Sequence, residues 1–122
     1  MATLMALACM SSATALAESR APQRGDAAVY HPHRFTGRPM ANGAPFDPGS
    51  NAAAHLTLPL GTRAEVTNLR TGARTTVVIS DRGPHTPGRI LDLSPRSARD
   101  LGIRGGVTPV EIRPLSGVQA AR

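Results

Sequence analysis

The chain has no lysine and no tryptophan, and only one cysteine among its 122 residues. Each absence excludes something. A lone cysteine, Cys9, rules out an intrachain disulfide, so packing alone must hold a small domain together. The same shortage argues against a structural zinc site, which needs Cys and His in close spacing. His31-Pro32-His33 and His85 offer no such spacing. With one tyrosine, Tyr30, and two phenylalanines, Phe35 and Phe46, the core must be built from Val, Leu, Ile and Ala. There is no P-loop, no G-x-G-x-x-G after a strand and no G-x-S-x-G elbow, which argues against nucleotide chemistry and serine hydrolysis. No apolar run reaches the roughly 20 residues that a membrane-spanning helix requires.

All fourteen basic residues are Arg, and eight acids leave a formal charge of +6. Such a surface favours polyanions: nucleic acid, anionic lipid or cell-wall polymer. It also serves solubility. The arginines are scattered and no aromatics interleave with them, so nucleic acid is not an expected partner.

Met1 to Ala17 is apolar and small, and ends in Ala15-Leu16-Ala17 before polar Glu18-Ser19-Arg20. This reads as a secretory signal peptide with an A-x-A cleavage pattern, although no Lys or Arg precedes its apolar part. Export across the inner membrane is therefore expected, to the periplasm or the outer membrane. A lipid on Cys9 is the alternative, and Ala6-Leu7-Ala8 before it makes a poor lipid-attachment signal.

Residues 18–26 are polar and read as a flexible lead, 27–115 as one folded domain, and 116–122 as a disordered tail. Ala27 to Tyr30 suits a first short strand. His31 to Ser50, rich in Pro, Gly, Asn and His, reads as a long irregular segment of the kind that is functional or disordered. Ala52 to Leu56 suits a short helix or turn. Arg63–Leu69 and Arg74–Ile79 form a hairpin by alternation and turn chemistry. Arg89–Leu93 is another strand. Ser94-Pro95 then supplies an N-cap and a first helical residue, and Gly102 a stop. Val107 to Arg113 alternates as a last strand. The expected fold is all-β, a small closed barrel with one or two short helices, because closure removes the exposed edges.

Val77-Val78-Ile79-Ser80-Asp81-Arg82-Gly83-Pro84 is the most informative stretch. A β-branched run stops at a carboxylate, and Arg, Gly and Pro turn the chain at once. Asp81 is thus a candidate acid on a loop held by a rigid scaffold; equally, it suits a turn Asp that bonds its own backbone. Asp92 should face opposite to Leu91 and Leu93; it also suits a cap for the helix near Ser94. His55 could orient a carboxylate or bind substrate, and a structural histidine is the plainer reading.

These pieces, with Gly37-Arg38-Pro39-Met40-Ala41-Asn42-Gly43, Phe46-Asp47, Ala53-Ala54-His55-Leu56-Thr57-Leu58-Pro59-Leu60-Gly61-Thr62, Val66-Thr67-Asn68-Leu69, Gly72, Gly88-Arg89-Ile90-Leu91-Asp92-Leu93-Ser94 and Gly106-Val107-Thr108-Pro109-Val110, together resemble the RlpA-like (rare lipoprotein A) family over about residues 25–115. The resemblance implies a six-stranded double-psi β-barrel related to expansin domains. It also implies a lytic transglycosylase, a lyase that cuts peptidoglycan glycan strands and leaves an anhydro sugar. On the family pattern His55 and Asp81 are the catalytic pair, with Asp81 the acid/base and His55 its orienter or a substrate donor. Asp92, Asp47 and Phe46 are substrate-binding candidates, Phe46 at a usually aromatic position. Arg82 and Arg89 are candidates for anionic wall groups. Where members carry Glu after Ala-Asn-Gly, this chain has Ala44. The reading implies no cofactor and no metal, glycan strands as partner, no transmembrane helix and a monomer. The competing reading is a non-catalytic, expansin-like module that binds or loosens the wall.

Overall fold

A computed structural model describes residues 21–115. The expected leader 1–17, with Cys9, and the expected tail 116–122 lie outside the described residues. Eight elements follow one another: β1 (Gln23–Val29), α1 (Pro32–Phe35), β2 (Ala52–Ala54), β3 (Arg63–Asn68), β4 (Arg74–Asp81), β5 (Arg89–Leu93), α2 (Pro95–Asp100) and β6 (Thr108–Pro114). The six strands close into a barrel in the order β1-β5-β2-β4-β3-β6. Pairs β1–β5 and β2–β4 are parallel, and the other four are antiparallel. Such a mixed six-stranded closed sheet with short helices is the double-psi β-barrel.

Period-two alternation builds the interior. In β3, Ala64, Val66 and Asn68 point inward, and in β6 Thr108, Val110 and Ile112 do the same. Val77 and Ile79 of β4 meet Leu91 and Leu93 of β5 in the same core, capped by Ala98, Leu101 and Ile103 from α2 and its exit. Each such buried branched side chain contributes about 1.5–3 kcal/mol by leaving water.

The β3–β4 hairpin turns on local chemistry. Gly72 takes φ 84°, which L side chains rarely adopt, and its N–H donates to the Asn68 carbonyl. The Asn68 side chain donates to the Leu101 carbonyl at 2.9 Å, which ties the hairpin end to the exit of α2. Helix α2 starts at Ser94, whose hydroxyl accepts from the Ser97 N–H, with Pro95 at the first position. It stops at Gly102, φ 73°, with Ile103 N–H on the Ala98 carbonyl and Gly102 N–H on that of Arg99. That is the Schellman closure.

Three expectations need correction. The lead over 18–26 is not free along its length: Gln23–Asp26 belong to β1 and pair with β6, and Arg24 meets Glu111 directly opposite at 3.0 Å. Exposed polar residues hid that strand. The segment at 52–56 is no helix. Ala52–Ala54 form β2, buried and bonded on both sides to β4 and β5. Three alanines carry helix propensity, yet their small side chains suit a strand crowded by two neighbours. The irregular segment 31–50 also contains α1.

Truncating the core tests this packing. Ile79→Ala is expected to cost about 2–5 kcal/mol in urea unfolding, whereas a loss near zero would place Ile79 outside the core.

Candidate functional site

β4 ends in an irregularity. Ala53 pairs with Ile79 but Ala54 pairs with Asp81, so one extra residue sits in β4. Ile79 and Ser80 are consequently both buried, and the alternation breaks. Asp81 emerges half-buried at the barrel end, in the way bulges re-aim side chains. Gly83 then takes φ 129°, open only to glycine, and turns the chain away.

Three donors hold the Asp81 carboxylate. Oδ2 accepts from the Tyr30 hydroxyl at 2.7 Å, and Oδ1 accepts from the N–H groups of Ala41 and Arg82, each at 2.9 Å. The Ala41 donor sits in a tight turn closed by Gly43 N–H on the Met40 carbonyl, with Gly43 at φ 90°. Asn42 N–H docks that turn on the Ser80 carbonyl at 3.1 Å. Ala44 follows in the same turn, its N–H on the Asn42 side chain.

Tyr30 was not singled out by the sequence reading. Its ring packs against Phe46 at 4.4 Å and edge-on to Phe35 at 5.4 Å. Burial, followed by the hydrogen bond to Asp81, raises the phenol far above its ordinary range, so it stays a donor. The available signal was that every aromatic residue of the chain falls within positions 30–46.

Asp92 does not cap α2; Ser94 does. Asp92 lies across Ala54 from Asp81, for Ala54 pairs with Asp92 on one side and Asp81 on the other. The two positions are therefore two strand spacings apart, about 10 Å, with only a methyl between them. Arg89 neutralises Asp92 through Nη2–Oδ1 at 2.7 Å.

His55 follows β2 and its N–H donates to the Asp81 carbonyl, but both ring nitrogens bond groups other than the carboxylate. Nδ1 accepts from Thr57 N–H and Leu58 N–H at 3.1 Å each, so the ring proton is on Nε2 and donates to Gln23 Oε1 at 2.9 Å. The orienting contact expected of His55 is made by Tyr30. Burial, then the nearby Arg82 charge, lowers the His55 pKa.

Other expected contacts are also corrected. Arg82 Nη1 is committed to the carbonyls of His55 and Leu58 at 3.0 and 2.6 Å, so it clamps the 55–58 loop. Phe46 is 3% exposed and packs under Tyr30, so it cannot face a substrate. Asp47 is exposed but turns its Oδ1 onto Gly49 N–H. His31, His33 and His85 are exposed. Among the described residues, no group of three or more His, Cys, Asp or Glu is placed to hold a metal ion, and no helix is long and apolar enough to cross a membrane.

Barrel and site together define a double-psi β-barrel with a carboxylate at its rim. Residues 22–112 match the family described as lytic transglycolase, and the chain belongs to that family. It is 54% identical over 82 residues to a Nostoc protein named "probable endolytic peptidoglycan transglycosylase RlpA", covering 66% of this chain and 22% of that protein. It is 45% identical over 89 residues to the endolytic peptidoglycan transglycosylase RlpA of Pasteurella multocida, covering 72% of this chain and 30% of that protein. The chain thus spans less than a third of either relative. Among solved structures it resembles a Clavibacter michiganensis expansin, with TM-score 0.60 and 23% identity over 80% of this chain and 52% of that one. It also resembles the Streptomyces papain inhibitor, with TM-score 0.54 and 23% identity over 76% and 96%. These two share the fold.

The His55 ring sets a pH dependence. Its lowered pKa means that the folded state resists a proton the unfolded state takes up near pH 6.5. Stability is full above that pH and falls as pH drops through the lowered folded value. The thermal midpoint should therefore decline as pH falls below about 6.5, and less steeply in His55→Gln. Equal slopes would mean that His55 does not carry the loss.

Proposed function

We propose that this domain is a lytic transglycosylase acting on peptidoglycan glycan strands. The observation that carries the reading is the Asp81 carboxylate, half-buried at a strand end and fixed by three donors, with no salt-bridge partner among the described residues. Membership in the lytic transglycolase family and the names of the two relatives support it.

Hydrolysis of a glycosidic bond ordinarily uses two carboxylates, one of them to activate water. Asp92 is paired with Arg89 and is poorly suited to that task. Transglycosylation needs only one. Asp81, protonated, gives its proton to the bridging oxygen as the C1–O bond breaks. As carboxylate it then takes the proton of the same sugar's 6-hydroxyl while that oxygen bonds to C1. An anhydro ring forms, Asp81 regains its proton and no water is consumed. Positioned acid–base chemistry of this kind contributes about 10²–10⁴-fold.

The remaining attributes belong to the same proposal. The wall lies outside the cytoplasm, so the domain acts there after export, without cofactor. A closed barrel offers no sheet edge for pairing, which suits a monomer.

A second reading, a non-catalytic wall-loosening module, is favoured by Ala44: the turn that binds Asp81 has no carboxylate at the position where the resemblance implies Glu. Incubation with glycan strands and mass spectrometry of the products separates the two. The transglycosylase reading predicts anhydro-ended fragments, lost by at least about 100-fold in Asp81→Asn, with Ala44→Glu raising the yield. Strand binding without any anhydro product would favour the second reading.

A further inference from the structure

A carboxylate has two oxygens and about four lone-pair directions. In Asp81 they are unequally filled. Oδ1 accepts two main-chain N–H groups, from Ala41 and Arg82, and Oδ2 accepts a single donor, the Tyr30 hydroxyl. The open direction is therefore on Oδ2. We propose that Oδ2 is the oxygen that carries the proton during glycan cleavage, and that Tyr30 is the positioning residue that aims it. The inference deepens the transglycosylase reading and rests on it.

The two oxygens are held by different means. Oδ1 is held by backbone: Arg82 is the next residue in the chain, and the turn bearing Ala41 is pinned to β4 through Asn42 and Ser80. Oδ2 is held by one side chain, 51 residues away. That side chain has little freedom. Tyr30 is 7% exposed, its ring lies between Phe46 and Phe35, and its own N–H is bonded to the Leu93 carbonyl at 2.8 Å. The phenol does not compete for the acid's role, since burial and the negative charges of Asp81 and Asp92 keep its proton in place. It can only donate, and it donates to the oxygen with the vacancy. Loss of the hydroxyl leaves Oδ1 tethered and lets Oδ2 swing. A reacting group displaced by about 1 Å can lose as much as 100-fold in rate.

The proton balance fixes what Tyr30 does. The proton leaves Oδ2 for the bridging oxygen and returns to Oδ2 from the 6-hydroxyl. Throughout, Tyr30 keeps its own proton and directs one lone pair of Oδ2, so the other points at substrate both in giving and in receiving.

Tyr30→Phe is the test, because it keeps the ring and its packing and removes only the hydroxyl. With soluble glycan chains, kcat for anhydro-product release should fall about 10- to 100-fold, with KM within twofold of wild type and the thermal midpoint nearly unchanged. The ¹³Cγ resonance of Asp81 should move in the same variant. A wild-type kcat in Tyr30→Phe, beside an inactive Asp81→Asn, would overturn the inference and leave the transglycosylase reading standing. A fall in kcat with an unmoved Asp81 resonance would also overturn it, since the effect would not pass through the carboxylate. Wild-type protein that releases no anhydro product would end the reading itself, and the role of Oδ2 with it.

Discussion

The bond between Tyr30 and Asp81 stands where two parts of the molecule meet, beside main-chain bonds from Asn42 to Ser80 and from Arg96 to Pro48. On one side is the barrel, whose strand β4 delivers the carboxylate to the rim. On the other is the long segment 31–50, which has little regular structure of its own. Tyr30 stands at the junction, immediately after β1, and its ring gathers Phe35, Met40, Phe46 and Ala54 into a second small core. The carboxylate then binds the turn of that same segment through Ala41. A charged group that needs donors and a loop that needs an anchor satisfy one another. Removing the carboxylate leaves the buried Tyr30 hydroxyl without this partner, which is costly.

A second clamp works beside the first. The His55 ring and the Arg82 guanidinium hold the loop over residues 55–58 together, one accepting from its N–H groups and the other donating to its carbonyls. Leu56, within that loop, is exposed. Two residues that read as catalytic or substrate-binding in the sequence thus shape the loop around Asp81. Their chemistry is used within the fold: a neutral imidazole as acceptor, a guanidinium as donor to two carbonyls.

Much of the barrel was legible because burial leaves a period of two. β3, β4, β5 and β6 carry it plainly, and the caps of α2 are written in Ser94, Pro95 and Gly102. β1 and β2 were not legible. The first half of β1 is exposed and polar, and β2 is three alanines, so neither has a periodicity to read. Asp81 could be found from local sequence, since a strand that stops at an acid before Arg-Gly-Pro places a carboxylate at an edge. Its partners could not. Tyr30 lies 51 positions away and Ala41 contributes only a main-chain N–H, which any residue but proline would carry. The pairing of Asp92 with Arg89, three residues apart on a strand with an irregular register, likewise depends on tertiary geometry.

The central claim is that a single oxygen, Oδ2 of Asp81, faces the bond to be broken. A crystal structure with a bound glycan oligomer measures this directly. The account predicts a bridging oxygen within about 3.2 Å of Oδ2, on the side away from the Tyr30 hydroxyl. An oligomer seated elsewhere on the barrel, or lying against Asp81 with its bridging oxygens out of reach of Oδ2, would contradict it.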